Sequence, residues 1–258
     1  MERIRYRTVV ISDTHLGARD AQLGFLFDFL KRVDCDYLYL AGDIFDLWKV
    51  KSGWYWPQIN TNIVQLVMDK AANGTEVVYV PGNHDEMFRD YVGSEFSGVR
   101  ILPETVHEAA DGRRYLIIHG DEFDAVVMNN RWLAHLGGAA YDSLLWLHRH
   151  FNRLRRRLGF RYWSLSAFLK YAVSYISSFE EALASEAERR GVDGIICGHI
   201  HHANVHTMTG GATYANSGDW VESCTALVEN AEGGLEVLHW LDGAGEVVSL
   251  ADWQDRCA

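Results

Sequence analysis

The residues with chemical capability sit in five short blocks: Asp13 with His15, Asp43, Asn83 with His84, His119, and His199 with His201. Each block follows at once on an apolar run of strand length, as in Ile11-Ser12-Asp13-Thr14-His15, Leu40-Ala41-Gly42-Asp43 and Ile117-Ile118-His119. Carboxylate, amide and imidazole donors without a thiolate suit Mn²⁺, Fe or Zn²⁺. Asp13 and His15, one residue apart on a turning loop, can face one cation, and Asp43 can bridge two. Asn83, His119 and His199 can complete a second shell, with His201 returning to the first. Two cations sharing a carboxylate lie roughly 3.5–4 Å apart, lower the pKa of a bridging water and clamp the oxygens of an in-line displacement. Such a site hydrolyses a phosphate ester or anhydride by a metal-bridging hydroxide. His84 stands apart as the catalytic residue: it follows the ligand Asn83, precedes Asp85, which can fix its tautomer, and can either give a proton to the leaving group or hydrogen-bond the phosphoryl oxygens.

Taken singly, each residue has an ordinary explanation. An Asp after a strand commonly caps a turn or helix, and a His there is commonly a satisfied structural residue. The set is different, because seven suitable donors in five loops close two shells in order. His135, His148, His150, His202 and His206 lack such placement and read as ordinary. Gly42, Gly82 and Gly198 flank the donors, where a missing Cβ allows close approach. Trp54-Tyr55-Trp56 and Asn216-Ser217-Gly218-Asp219-Trp220 are either rims of the pocket or buried aromatics.

Positioning these blocks requires strands with helical cover. Thr8 to Ser12, Tyr37 to Ala41 and Glu76 to Val80 read as strands, with helices predicted over Ala21 to Val33 and Gln58 to Asn73 from their apolar spacing. This alternation predicts a parallel sheet with functional residues at the carboxyl ends of its strands. Short strands then follow at Val99 to Leu102, Val106 to Ala109 and Tyr115 to Ile118, where antiparallel pairing is expected. A last apolar strand, Gly194 to Cys197, delivers the double-His loop. The remainder, Asn204 to Thr209, Thr213 to Asn216, Cys224 to Glu229 and Leu235 to Trp240, reads as hairpins. The fold class expected is α/β, a four-layer α/β/β/α sandwich of two packed mixed sheets, forming one domain over residues 1–258 with a helical insertion at about 122–190.

That insertion reverses the charge of the chain. Met128 to Phe168 carries Arg131, Arg149, Arg153, Arg155, Arg156, Arg157 and Arg161 against one acid, Asp142, with aromatic residues interleaved. It is either a solvated helical face over its own small core or a cap on the site. In the second case Arg149, Arg153, Arg156 and Arg157 would bind substrate phosphates or anionic headgroups, and the aromatics would meet acyl chains or a membrane interface.

A formal net charge of −11 over 258 residues argues against a general nucleic-acid binder. Four scattered cysteines, Cys35, Cys197, Cys224 and Cys257, fit a reduced cytoplasmic protein. No apolar signal core precedes the first strand and no apolar run is long enough to span a bilayer, so contact with the inner membrane is expected to be peripheral at most.

The blocks Asp-x-His, Gly-Asp-x-x-Asp (Gly42, Asp43, Asp46), Gly-Asn-His-Asp (Gly82 to Asp85), His119 and Gly-His-x-His (Gly198 to His201) resemble the calcineurin-like metallophosphoesterases over most of the chain. The resemblance implies a double sheet and a dinuclear site in which Asp13, His15, Asp43 and His201 hold one metal and Asp43, Asn83, His119 and His199 the other. Gly-Asp-Ile-Phe-Asp-Leu-Trp (Gly42 to Trp48), His-Gly-Asp (His119 to Asp121) and the helical insertion are further similar to UDP-2,3-diacylglucosamine diphosphatases of lipid A biosynthesis. These imply Mn²⁺-dependent, peripheral membrane enzymes that release UMP and a lipid monophosphate. Two other expectations stand beside this one: a phosphoesterase for another nucleotide, sugar-nucleotide or phospholipid, and a non-catalytic membrane- or partner-binding protein of the same fold.

Overall fold

The computed structural model describes residues 3–53, 55–124, 165–240 and 246–247. Strands β1 (Ile4–Ile11), β2 (Val33–Ala41) and β3 (Glu76–Val80) pair in parallel, with α1 (Leu23–Arg32) and α3 (Gln58–Ala72) as crossovers. The short α2 (Leu47–Ser52) leaves the β2 loop. The next strands are β4 (Glu95–Phe96), β5 (Val99–Ile101), β6 (Thr105–Glu108) and β7 (Arg114–Ile117). After α4 (Leu165–Arg190) come β8 (Gly194–Cys197), β9 (Asn204–Thr207), β10 (Thr213–Asn216), β11 (Thr225–Glu229), β12 (Leu235–His239) and β13 (Glu246–Val247).

These strands form two mixed sheets. The larger has the order β13-β12-β11-β1-β2-β3-β5-β4 and the smaller β6-β7-β8-β10-β9. The two-residue period of a strand divides the core accordingly. Val9, Ile11, Leu38, Leu40, Val77 and Tyr79 join Leu26, Phe29, Leu30 and Ile63 of the helices. Their alternates Val10, Tyr39, Ala41, Val78 and Val80 join Tyr115, Ile117, Ile196 and Ala215 of the smaller sheet. A strand buried on both faces must be apolar at every position, which is why β1, β2 and β3 end in continuous apolar runs.

Three expectations change. Val99 to Leu102 does not open a hairpin with the strand after it: β5 lies parallel to β3 in the larger sheet, and β6 starts the smaller one. An apolar run marks a strand without naming its neighbour. Strand β1 begins at Ile4, where Arg5 and Arg7 conceal the pattern on the half-exposed end. Val33, expected as the end of a helix, instead opens β2 opposite Ile4.

The chain forms two compact units, one of Met1–Asp121 with Ala184–Ala258 and one of Glu122–Leu183. In the first, Ala187 of α4 is buried, and Arg190 binds Glu104, ahead of β6, at 2.6 and 2.7 Å. In the second, the Phe123 and Phe179 rings meet edge to face with centroids 6.4 Å apart. Arg149, Arg153, Arg156 and Arg157 lie outside the described residues, as does Trp54. Among the described residues no helix is long and apolar enough to cross a membrane.

Candidate active site

The loops after β1 and β2 are fastened together by their backbones. Asp13 N–H donates to Gly42 O at 3.0 Å, His15 N–H to Asp43 O at 3.0 Å and Leu16 N–H to Ile44 O at 2.8 Å. In the smaller sheet, Gly198 N–H donates to His119 O at 3.1 Å, tying the β8 loop to the β7 loop. Side chains at these ends therefore share one volume without depending on the order of a long loop.

The backbone at the donors is unusual. Among the described residues seven non-glycines have positive φ, and five of them are Asp13, His15, Asp43, His199 and His201. Each left-handed non-glycine residue costs roughly 1–2 kcal/mol. Such conformations persist where surrounding bonds over-determine them, as the paired loops do here, and they cluster at functional sites.

Asp13 and Asp43, both buried, are held alike. Asp13 Oδ2 accepts from His199 N–H at 3.0 Å, and its Oδ1 lies 3.1 Å from His201 Nε2. Asp43 Oδ1 accepts from His84 N–H at 2.8 Å, and its Oδ2 lies 3.4 Å from His119 Nε2. A backbone N–H fixes one oxygen of each carboxylate and leaves the other turned toward an imidazole. Burial alone would raise the Asp43 carboxyl, but the His119 imidazole, with His84 and His15 near it, holds it well below the usual carboxylate range.

His119 Nδ1 lies 2.9 Å from Ala41 O. A carbonyl only accepts, so Nδ1 carries a hydrogen and Nε2 faces Asn83 Oδ1 at 3.2 Å and Asp43 Oδ2 at 3.4 Å. Burial would lower the His119 imidazole, but Asp43 and Asp13 raise it well above its ordinary value, favouring on Nε2 a proton that a bound cation would replace. His15 is arranged likewise: Nδ1 meets Asp46 Oδ2 at 3.3 Å, and the buried Nε2 has no hydrogen-bond partner. These Nε2 atoms beside carboxylates fit a divalent cation. In two groups, Asp13 with His15 and His201, and Asp13 with Asp43 and His119, the possible ligand atoms lie within 4.8 Å of one another. Asp13 belongs to both, so it is as central as Asp43. The His199 ring adjoins that of His119, with centroids 5.1 Å apart.

Close approach is built in by glycine. A Cβ at Gly82 would stand 2.7 Å from His119 Nε2, and one at Gly198 would stand 2.5 Å from Asp13 Oδ2. Both distances are too short for any real side chain.

His84 departs from expectation in its partner. Asp85 does not fix its tautomer: the Asp85 carboxylate is buried and accepts from Gly82 N–H at 2.6 Å, Ile44 N–H at 2.7 Å, Phe45 N–H at 3.2 Å and the Tyr79 hydroxyl. It is spent on holding two loops together. Asp46 takes the role instead, with Oδ1 3.4 Å from His84 Nδ1, while His84 Nε2 faces Asp43 Oδ2 at 4.0 Å. Burial would lower the His84 imidazole, yet Asp46 and Asp43 raise it above its ordinary value. His15, Asp46 and His84 make a third group of close donor atoms. Sequence reasoning gave Asp46 no role; its position three residues after Asp43 was the available signal.

The second aromatic stretch forms no rim. Trp220 is fully buried against Phe29, its N–H donates to Asp13 O at 3.1 Å and its carbonyl accepts from Gln22 N–H at 2.7 Å. Asn216 Nδ2 donates to Gly198 O at 2.6 Å. The stretch supports the β1 and β8 loops from behind. Trp56, partly buried, packs against Phe45.

The family model for calcineurin-like phosphoesterases matches residues 6–203. The chain is 27% identical over 239 residues to a UDP-2,3-diacylglucosamine hydrolase of Shewanella sp. (strain MR-7), covering 88% of this chain and 95% of that protein. It is 28% identical over 244 residues to the enzyme of the same name from Shewanella pealeana, with the same coverage. Among solved structures, wild-type Vps29 from Entamoeba histolytica complexed with Zn²⁺ aligns over 93% of this chain and 96% of its own, at 14% identity and a TM-score of 0.47.

Proposed function

We propose, for a chain that belongs to the calcineurin-like phosphoesterase family, that it is a dinuclear-metal hydrolase cleaving the diphosphate of UDP-2,3-diacylglucosamine or a similar lipid-linked sugar nucleotide. The observation that carries the hydrolase reading is the convergence of Asp13, Asp43, His119, His15 and His201 into two groups of donor atoms sharing Asp13. The diphosphate substrate is supported by similarity to UDP-2,3-diacylglucosamine hydrolases along 88% of the chain.

Asp13, His15, Asp43 and His201 form one ligand set, and Asp43, Asn83, His119 and His199 the other. Two divalent cations held by these sets, Mn²⁺ in preference to Fe or Zn²⁺, supply Lewis acidity and lower the pKa of a bound water. Ala41 O and Asp46 set the tautomers of His119 and His15, so both can offer Nε2 to a cation. His84, its Nδ1 side held by Asp46, serves the leaving group through Nε2. A water that has given one proton to solvent bonds through its oxygen to one phosphorus, the bridging P–O bond breaks, the departing oxygen takes the His84 Nε2 proton, and His84 is reprotonated from solvent. UMP and a lipid monophosphate are the products. Arg149, Arg153, Arg156 and Arg157 are proposed to hold substrate phosphates as guanidinium forks, with peripheral contact at the membrane surface where the lipid resides.

The test is release of UMP from UDP-2,3-diacylglucosamine in detergent micelles by metal-stripped protein resupplied with Mn²⁺. UMP release supports both substrate and reaction. Cleavage of aryl phosphates alone removes the lipid substrate and leaves the hydrolase.

A further inference from the structure

Six large hydrophobic side chains are exposed among the described residues, and one of them touches the candidate active site. Trp48 is 46% exposed on the outer side of α2, and its ring centroid lies 4.1 Å from that of His84 with the planes 30° apart. A singly exposed aromatic is ordinary on a protein surface, so it is the contact, not the exposure, that sets Trp48 apart. The contact here is a tilted ring-to-ring approach to the imidazole assigned above to the leaving group.

His84 has three other neighbours. Asp46 Oδ1 meets its Nδ1 at 3.4 Å, the His15 ring meets it edge-on with centroids 4.6 Å apart, and its own N–H is bound by Asp43 Oδ1 at 2.8 Å. These fix the ring's edge and its backbone. None of them, nor Asp43 Oδ2 at 4.0 Å from Nε2, stacks on the ring, and an imidazole contacted only at its edge can tilt about those contacts. The Trp48 indole supplies the missing constraint. Its own position comes from α2, whose first turn is anchored by Asp46 accepting from Lys49 N–H at 2.9 Å and by Leu47 N–H donating to His84 O at 3.2 Å. The three-residue stretch Asp46 to Trp48 therefore contacts His84 at Nδ1, at its carbonyl and at its ring.

We propose that Trp48 is a positioning residue for His84, holding the imidazole plane so that Nε2 points to the leaving-group oxygen. The inference rests on the leaving-group role given to His84 above. It predicts a defect that depends on the leaving group, because a departing p-nitrophenolate needs no proton whereas a departing phenolate of higher pKa does.

The experiment uses the full chain loaded with Mn²⁺ and a series of aryl phosphate esters from p-nitrophenyl to unsubstituted phenyl. Trp48→Ala is expected to leave kcat on the p-nitrophenyl ester within about 2-fold and to lower kcat on the phenyl ester about 10-fold or more, with KM little changed. Trp48→Phe keeps a ring against His84 and restores most of the loss. In a His84→Ala background, Trp48→Ala has no further effect, the non-additivity expected of two residues acting as one unit. Equal losses on every ester, or a further loss in the His84→Ala background, overturn the proposal and make Trp48 a structural residue. If His84→Ala itself shows no dependence on the leaving group, the role of His84 fails first, and the two failures are distinguishable.

Discussion

Asp46 Oδ1 lies 3.4 Å from His84 Nδ1, while the other oxygen of the same carboxylate lies 3.3 Å from His15 Nδ1. One buried carboxylate thus orients a donor of the first ligand set and the imidazole assigned to the leaving group. Burial would raise the Asp46 carboxyl, but the His15 and His84 imidazoles beside it hold it well below the usual range.

Asp46→Asn can accept at one oxygen only, presents an N–H₂ to one of the two imidazoles and removes the charge that both now face. Asn is as good a helix N-cap as Asp, so α2 is expected to keep its anchor at Lys49 N–H. Turnover should fall about 10–100-fold, as for other residues that orient a metal-binding histidine. Steady-state kinetics with Mn²⁺ in excess, alongside a Mn²⁺ binding isotherm, measures both roles. Unchanged values in both would mean that Asp46 orients neither ring.

Gly198 stands against the buried Ser12 and Asp13, and a Cβ there would come within 2.5 Å of Asp13 Oδ2. Gly198→Ala should displace Asp13 from His199 N–H, lowering bound metal and destabilising the fold by about 1–3 kcal/mol, the range for overpacking. Elemental analysis and urea denaturation read the two effects. Full metal content would show that the β8 loop yields without disturbing Asp13.

A second buried polar cluster, away from the donors, predicts acid sensitivity. Glu229 is fully buried; it binds His107 at 2.8 Å, Arg7 at 2.9 and 3.0 Å, Ala110 N–H at 2.8 Å and the Thr8 hydroxyl. His107 in turn meets the Tyr39 hydroxyl at 3.0 Å, joining a strand of each sheet. Burial would raise Glu229, but His107, Thr8 and the Ala110 N–H bring it down to about 2. A depressed carboxyl contributes stability above its unfolded pKa, near 4.5, and that contribution is lost as pH falls toward about 2. Glu229→Gln should cost about 2–3 kcal/mol at pH 7, the worth of hydrogen bonds to a charged group. The difference from wild type should shrink between pH 4.5 and 2, as denaturation at several pH values would show. A pH-independent difference would exclude Glu229 as the titrating group.

The loops carrying the candidate donors were legible because they follow apolar runs, and strands β3, β8 and β10 have the bounds their apolar patterns predict. What escaped was partnership. The pattern at Val99 is the same whichever sheet receives it, and only three dimensions show β5 beside β3. Asp85, adjacent to His84 in sequence, points away to bind three backbone N–H groups, while Asp46, far earlier in the chain, meets the ring. The Asn216 to Trp220 stretch read equally as rim or buried core, because aromatic residues near glycine read alike whether buried or exposed, and Trp220 is buried. Positive φ at five donors is only weakly signalled by residue type: Asp and His are enriched there, but their sequence does not say which of them adopt it.

The central claim, that the chain is a metal-dependent phosphohydrolase with Asp43 shared between two cations, is tested most directly by one titration. Mn²⁺ is added back to metal-stripped wild type and Asp43→Ala while cleavage of bis(p-nitrophenyl) phosphate is followed. Wild type should regain activity that saturates near two equivalents of Mn²⁺, and Asp43→Ala should stay at background throughout. Equal activity in the two proteins, or full wild-type activity without added metal, would contradict the account.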